Sequence, residues 1–241
     1  MSKQPHLLVE PHQITANAIV CGEPDRVNRI AEHLTEVEFL AENREFRLMR
    51  GKYNHTSITV CSTGIGAASA LIALEELRQC GVERMVRVGS AGALQHDIAI
   101  GDLIIAEAAV RDEGGSSSYV SPAYPASADT QLLIGLHEYC SVHSLDFHAG
   151  VVRSHDSFYT DDEAQICRHW HQKGVLGADM ETSALLAVGR LRGLKVASIL
   201  ANVVRYEQDV QQGVADYVAE SAATAKAERH AILAALHALT R

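Results

Sequence analysis

Long apolar runs are missing from this 241-residue chain. No stretch approaches the roughly 18 consecutive apolar residues of a membrane-spanning helix. The N-terminal MSKQPHLLVEPHQ carries no extended apolar segment either, so no secretory signal is expected. Cysteine is sparse: Cys21, Cys61, Cys80, Cys140 and Cys167 are scattered, odd in number and without CxxC spacing. That pattern predicts reduced thiols in a cytoplasmic protein rather than a disulfide framework or a zinc site. Positive charge is also short. Lys and Arg number 21 against 30 Asp and Glu, a net charge of -9. Such a balance argues against nonspecific binding to nucleic acid or to anionic membrane. A few arginines gathered at one place can still hold a small anion. No HExxH, Walker GK[ST] or GxGxxG after the first strand is present, which excludes those metal, nucleotide and dinucleotide sites. His169-Trp170-His171 is an HxH, too little for a metal site by itself.

What is present suits one α/β domain over residues 1–241: 47% hydrophobic and 21% charged residues, with no repeat and no linker. Strands are predicted over Ala16–Cys21, twice within Val37–Tyr53, and over Ser57–Cys61, Arg84–Val88, Gly101–Val110, Phe147–Ser154 and Lys195–Val204. Helices are predicted from Pro24 to about His33, and over Ala67–Cys80, Asp129–Ser144, Asp162–Lys173 and Asp216–Leu239. The last carries an apolar stripe at Val218, Ala222, Ala225, Ile232 and Leu236. Adjacent strands within Val37–Cys61 break the alternation and predict a mixed sheet. The Gly-, Ser- and Pro-rich segment Arg111–Ala128 exceeds usual loop lengths, so it is expected to be functional or to lie at an interface.

Three strand ends run into glycines, at Gly22, Gly64 and Gly89, and each reads as a tight turn. Arg26 follows Pro24 at a helix start, a position the helix dipole disfavours for a cation, and Arg87 precedes the third glycine. Three such turns with two arginines fit a phosphate-sized anion at one sheet edge; a surface arginine and plain turns are the competing readings. In Val175–Leu186 (VLGADMETSALL), Asp179 and Glu181 flank Met180 at a strand end that runs straight into an apolar helix. Extended i and i+2 side chains share a direction, so both acids could face one cavity. Acids placed for the helix dipole are the alternative. Arg44, Arg47 and Arg50 recur every three residues, and in a strand Arg44 and Arg50 share a face.

The motifs GEPDR (Gly22–Arg26), NREF (Asn43–Phe46), STGIG (Ser62–Gly66), RVGSAGA (Arg87–Ala93), DSFY (Asp156–Tyr159) and DMETSALL (Asp179–Leu186) together resemble the nucleoside phosphorylase-I family, across nearly the whole chain. The pattern is most similar to uridine phosphorylases and hexameric purine nucleoside phosphorylases. The resemblance implies a three-layer α/β/α sandwich around a central mixed, barrel-like sheet. It implies reversible phosphorolysis of a (deoxy)ribonucleoside to free base and (deoxy)ribose 1-phosphate, with no organic cofactor and inorganic phosphate as co-substrate. By resemblance, Gly22, Arg26, Arg87 and Ser90 bind phosphate, and Arg44 reaches the phosphate of a neighbouring subunit in a homohexamer built as a trimer of dimers. His6, also lent by the neighbour, meets ribose together with Ser90, Met180 and Glu181. Phe158, Asp162, Asp179 and Arg205 fall on the base side. Glu45, Ile65 and Ser69 match positions that hold a monovalent cation, potassium, between subunits. Arg26, Arg87 and Glu181 would carry catalysis.

The resemblance is incomplete where the base is read. Uridine phosphorylases carry a Gln-x-Arg pair shortly after the FY motif, and here the matching positions are Asp162 and Ala164. Purine phosphorylases carry a Ser-Asp pair after the last core strand, and here Ala201-Asn202 matches it, with an amide that cannot deliver a proton. A uridine phosphorylase-like enzyme is expected, with a purine nucleoside phosphorylase as the alternative. A nucleosidase would have no use for Arg26, Arg44 and Arg87; a noncatalytic nucleoside-binding protein is a further alternative.

Overall fold

Buried strands alternate with helices along the chain, as their apolar runs predict. The computed structural model describes residues 3–157, 159–208 and 222–241. Its elements are β1 (Asn17–Cys21), α1 (Pro24–Ala31), β2 (Thr35–Asn43), β3 (Phe46–Tyr53), β4 (Thr56–Ser62), α2 (Ala67–Gln79), β5 (Arg84–Ala93), β6 (Leu103–Asp112), β7 (Ala126–Ser127), α3 (Thr130–Val142), β8 (Phe147–His155), α4 (Glu163–His171), β9 (Gly177–Asp179), α5 (Thr182–Leu191), β10 (Lys195–Val204) and α6 (Ala222–Thr240). The sheet order is β10-β6-β8-β9-β5-β1-β4-β3-β2, with β7 on β6. β10 also pairs with β5, so β5, β9, β8, β6 and β10 close into a mixed barrel, and β1, β4, β3 and β2 continue from β5 as an open wing. Helices α2 and α5 pack on each other, as do α3 and α6, and α6 lies against β5 and β10. This is the expected α/β/α arrangement around a barrel-like sheet.

Several local expectations are corrected. β5 does not stop at Val88 but runs to Ala93, held by pairing with β10 and then β9. Gly89 is therefore mid-strand, and of the three glycines read as turns only Gly64 has a positive φ, at 71°. Arg44 is not on a strand face: it sits at φ 55° between β2 and β3, where the chain reverses. Glu181 is not extended either, with φ -136° and ψ -26° at the start of α5. The segment read as loop from Arg111 includes the end of β6, a short 3-10 turn at Ser116–Ser118 and β7. In α6, Ala222 and Ala225 are exposed, while Ala227, Glu228, Ala231, Ile232, Ala235 and Leu236 are buried. Alanine contributes too little contrast to fix which face of such a helix turns inward. Val218 and the expected helix start at Asp216 lie outside the described residues, as does most of the polar segment after Tyr206.

Candidate active site

Arg87 lies on β5 inside the barrel and is 3% exposed. Its Nε donates to Asp179 Oδ2 at 3.1 Å and its Nη2 to Glu181 Oε2 at 2.5 Å. Both acids of the DMETSALL stretch thus converge on one guanidinium, although they reach it from a strand end and a helix start. Gly89 makes room for this arrangement. A Cβ there would stand 2.7 Å from Arg87 Nη2 and 2.7 Å from Leu200 Cδ2, so volume requires glycine at this position. Glu181 Oε1 accepts from the Gly66 amide at 2.5 Å. Gly66, at φ 93°, is the N-cap of α2. The amide so spent is one of the orphan donors of a helix start.

Asp179 is fully occupied. It accepts from Ser154 Oγ at 2.5 Å, from Thr182 Oγ at 2.6 Å and from the Thr182 amide at 3.1 Å, in addition to Arg87. It caps α5, so the dipole reading and the converging-acid reading both hold. Among the described residues, Nη1 of Arg87 is buried and has no hydrogen-bond partner. A buried, charged donor without a partner is costly and marks a place for an acceptor. Burial raises the Glu181 carboxyl above its usual range, Arg87 opposes that, and the Asp179 charge adds to it.

Arg26 lies beside this centre on α1. Its Nη1 donates to the carbonyl of Val88, the residue after Arg87, at 3.1 Å. Its Nε donates to Glu228 Oε2 on α6 at 2.8 Å. Arg29, one turn on, also binds Glu228 and reaches Glu23. Within the chain Arg26 thus meets a carboxylate 202 residues away, and Glu23 Oε1 lies 3.6 Å from its Nη2.

Comparison with known proteins identifies the family. A sequence profile of the phosphorylase superfamily matches residues 17–238. The chain belongs to the phosphorylase superfamily. A solved uridine phosphorylase from Vibrio fischeri is 57% identical, with a TM-score of 0.94 over 100% of this chain and 98% of that one. A guanosine phosphorylase from Halorubrum lacusprofundi is 40% identical over 83% of this chain and 82% of its own length. A uridine phosphorylase from Thermococcus kodakarensis is 36% identical over 85% of this chain and 79% of its own.

The remaining residues that resemblance to phosphorylases singled out fall into three places. Gly22, Ser90 and Met180 lie around the arginine centre, and none is fully buried: Gly22 directly after β1, Ser90 on β5 opposite Ala201, Met180 between Asp179 and Glu181. His6 and Arg44 come together at the outer end of the wing. Asn43 Nδ2 donates to the His6 carbonyl at 2.9 Å, and His6 Nδ1 lies 2.6 Å from Glu76 Oε1 of α2. Arg44 is exposed and has no hydrogen bond or ion pair to any described residue. Glu45 and Ser69 meet across Gly64, whose added Cβ would lie 2.6 Å from Glu45 Cγ and 3.1 Å from Ser69 Oγ. Ser69 Oγ is 3.3 Å from the Ile65 carbonyl, and the Ile65 side chain is 79% exposed. The three proposed cation ligands are therefore neighbours.

On the base side, Asp162 is exposed at the start of α4 and Arg205 is exposed directly after β10. Phe158 lies outside the described residues. Asn202 is fully buried; its Nδ2 donates to the Ala99 carbonyl at 2.9 Å, and its Oδ1 has no partner among the described residues. The HxH histidine His171 stacks on Tyr206 at 4.6 Å and 12°, and His96 meets both rings edge-on. This ring group anchors the segment that carries Arg205. Nothing in the local sequence pointed to it, because its members are separated by 75 and 35 positions or adjoin Arg205 itself.

Proposed function

We propose that this chain is a nucleoside phosphorylase, a pentosyltransferase that exchanges the base of a nucleoside for phosphate at C1′. The observation that carries this reading is the Arg87 centre. A buried guanidinium is fixed by two carboxylates and keeps one buried donor unspent, as an enclosed anion site requires. Phosphate, held by Arg87 with Arg26, Ser90 and Gly22, attacks C1′ as the glycosidic bond breaks. The bonding pair leaves with the base nitrogen, and the new C–O bond gives the sugar 1-phosphate. The arginine balances charge on the attacking oxygens in a site where water is scarce. Glu181 and Met180 hold the sugar, the carboxylate accepting from its hydroxyls. Asp179, whose oxygens are taken, sets Arg87 and the start of α5 in place of touching the base. No organic cofactor enters this scheme.

The protomer's own charges leave part of the task to a second copy. Arg87 faces two carboxylates, and Arg26 with Arg29 faces Glu228 and Glu23. Arg44 is a cation with no carboxylate partner among the described residues, and His6 is held beside it through Asn43. Both would complete a neighbour's site in a homohexamer, with Glu45, Ile65 and Ser69 holding a potassium ion at the contact. No helix among the described residues is long and apolar enough to cross a membrane, and the described cysteines are free thiols, which suits a reducing, cytoplasmic setting.

The relatives support a uridine phosphorylase-like base. A purine base is the second reading, favoured by the guanosine phosphorylase at 40% identity, while Asn202 in place of a carboxylic acid stands against it. The test is release of free base from uridine, thymidine, inosine, adenosine and guanosine, each with and without phosphate. Phosphate-dependent release with formation of sugar 1-phosphate is expected, and the responding nucleoside names the base. Release at equal rates without phosphate would replace the phosphorylase with a hydrolase.

A further inference from the structure

The segment after β6 stood out in the sequence by its length and composition, and the site described above does not use it. Arg111 turns it into a closed unit. Its Nε donates to Ser116 Oγ at 2.9 Å, its Nη1 to the carbonyls of Ser121 at 2.6 Å and Tyr124 at 2.8 Å, and its Nη2 to that of Val120 at 2.9 Å. Inside this unit Glu113 is 5% exposed. It accepts from the Ser116 amide at 2.8 Å and from the Ser116 hydroxyl, and it reaches out of the loop to Ser183 Oγ at 3.0 Å.

From Ser183 the contacts lead to the anion centre. The Ser183 amide donates to Ser154 Oγ at 2.8 Å, Ser154 Oγ donates to Asp179 Oδ1 at 2.5 Å, and Asp179 holds Arg87 Nε. Ser183 and Ser154 are both 0% exposed, so water does not compete at these links. The loop also touches the other helix that frames the site. A Cβ on Gly115 would stand 2.8 Å from Ala67 Cβ, the first residue of α2, just after the Gly66 amide that holds Glu181. The loop thus sits against the starts of α2 and α5 together, and those two starts fix Glu181 and Asp179.

We infer that Glu113 is a positioning residue for the anion site, acting through Ser183 and Ser154 on Asp179 and so on the aim of Arg87. This rests on the reading of Arg87 as a phosphate ligand. Helix α5 begins without a side-chain cap from its own N-cap residue; Asp179 and Ser154 serve its first amides instead. Glu113 adds a buried negative charge at that same helix start, where the dipole favours it. Losing it would let the helix start, and the carboxylate that aims Arg87, relax together.

The test measures phosphate affinity of the intact protein by calorimetry and the separate KM values for phosphate and nucleoside. Ser183→Ala removes the hydroxyl that meets Glu113 and keeps the amide that meets Ser154. Phosphate Kd and phosphate KM are expected to rise together by roughly three- to tenfold, the worth of one buried hydrogen bond. Nucleoside KM should stay within about twofold. Glu113→Gln should act in the same direction; if that variant does not fold, Ser183→Ala decides alone. A lowered Tm with unchanged phosphate Kd, or a parallel rise in both KM values, would reduce Glu113 to a support of the fold. A wild-type protein that binds no phosphate would overturn the anion-site reading and this inference with it. Wild-type binding that Ser183→Ala leaves intact overturns the inference alone.

Discussion

Arg87 and Arg26 are both buried, at 3% and 4% exposure, and they are adjacent through Val88, yet they are built differently. Arg26 sits on a helix, and its contacts come from a distant helix and a strand carbonyl; with Arg29, Glu23 and Glu228 it forms a charge cluster of two cations and two anions. Arg87 sits inside the barrel, is gripped by two carboxylates, and keeps a buried Nη1 without a partner among the described residues. Burial of an arginine is therefore poor evidence for a ligand, because a carboxylate of the same chain can account for it. An unspent donor on a guanidinium whose other groups are fixed is the better sign. Arg44 supplies the opposite extreme, an exposed cation with no partner among the described residues.

Arg87→Ala should have the largest effect. It removes the anion ligand and leaves Asp179 and Glu181 buried without their counter-ion, a change that typically costs about 3–5 kcal/mol of stability. Phosphorolysis should fall by roughly 100-fold or more, since each charge-assisted hydrogen bond contributes about 1.5–3 kcal/mol. Arg87→Lys should rescue folding better than activity, because one ammonium cannot span both carboxylates and still donate to phosphate. Chemical denaturation and phosphate-saturation kinetics check the two halves. An Arg87→Ala enzyme with normal phosphate KM would remove the distinction drawn between the two arginines.

Arg44→Ala should lower activity by roughly 10-fold or more through the same kind of bond, yet leave Tm and the sedimentation coefficient unchanged. Wild-type protein should sediment as an oligomer. An active, dilution-stable monomer would mean that neither Arg44 nor His6 serves a neighbour.

Most of the framework was legible because apolar runs and glycine breaks mark strands and helices directly. The acid pair Asp179 and Glu181 was legible too, from its place at a strand end. Gly89 was misread, because a glycine needed for volume under Arg87 has the same letter as one needed for a positive φ. Arg44 was misread as a strand residue, since a two-strand segment does not reveal which residue reverses the chain. Glu228 was invisible: it lies in an alanine-rich helix whose inward face alanine cannot mark, and its partners are about 200 positions away. The reach of Glu113 to Ser183 was hidden for the same reason, as it joins residues 70 apart.

The smallest effect expected is that of Glu228→Gln, and its pH dependence separates the Arg26 cluster from the Arg87 centre. Burial by itself would raise the Glu228 carboxyl, but hydrogen bonds from Arg29 and the charges of Arg26 and Arg29 outweigh it and hold the carboxyl below its usual range. A carboxyl lowered on folding contributes stability above its unfolded pKa and loses it as pH falls through the folded value. Glu228→Gln keeps an acceptor but not the charge, so it should cost about 1 kcal/mol near neutral pH, the difference between a charge-assisted and a neutral hydrogen bond. The difference from wild type should shrink as the medium is acidified below the ordinary carboxylate range. Glu181 behaves in the reverse sense, since burial raises its carboxyl. Denaturation midpoints of wild type and Glu228→Gln from neutral to acid pH check this. A gap that stays constant with pH would mean that Glu228 holds Arg26 by shape alone, and that the charge balance of the cluster has no part in its stability.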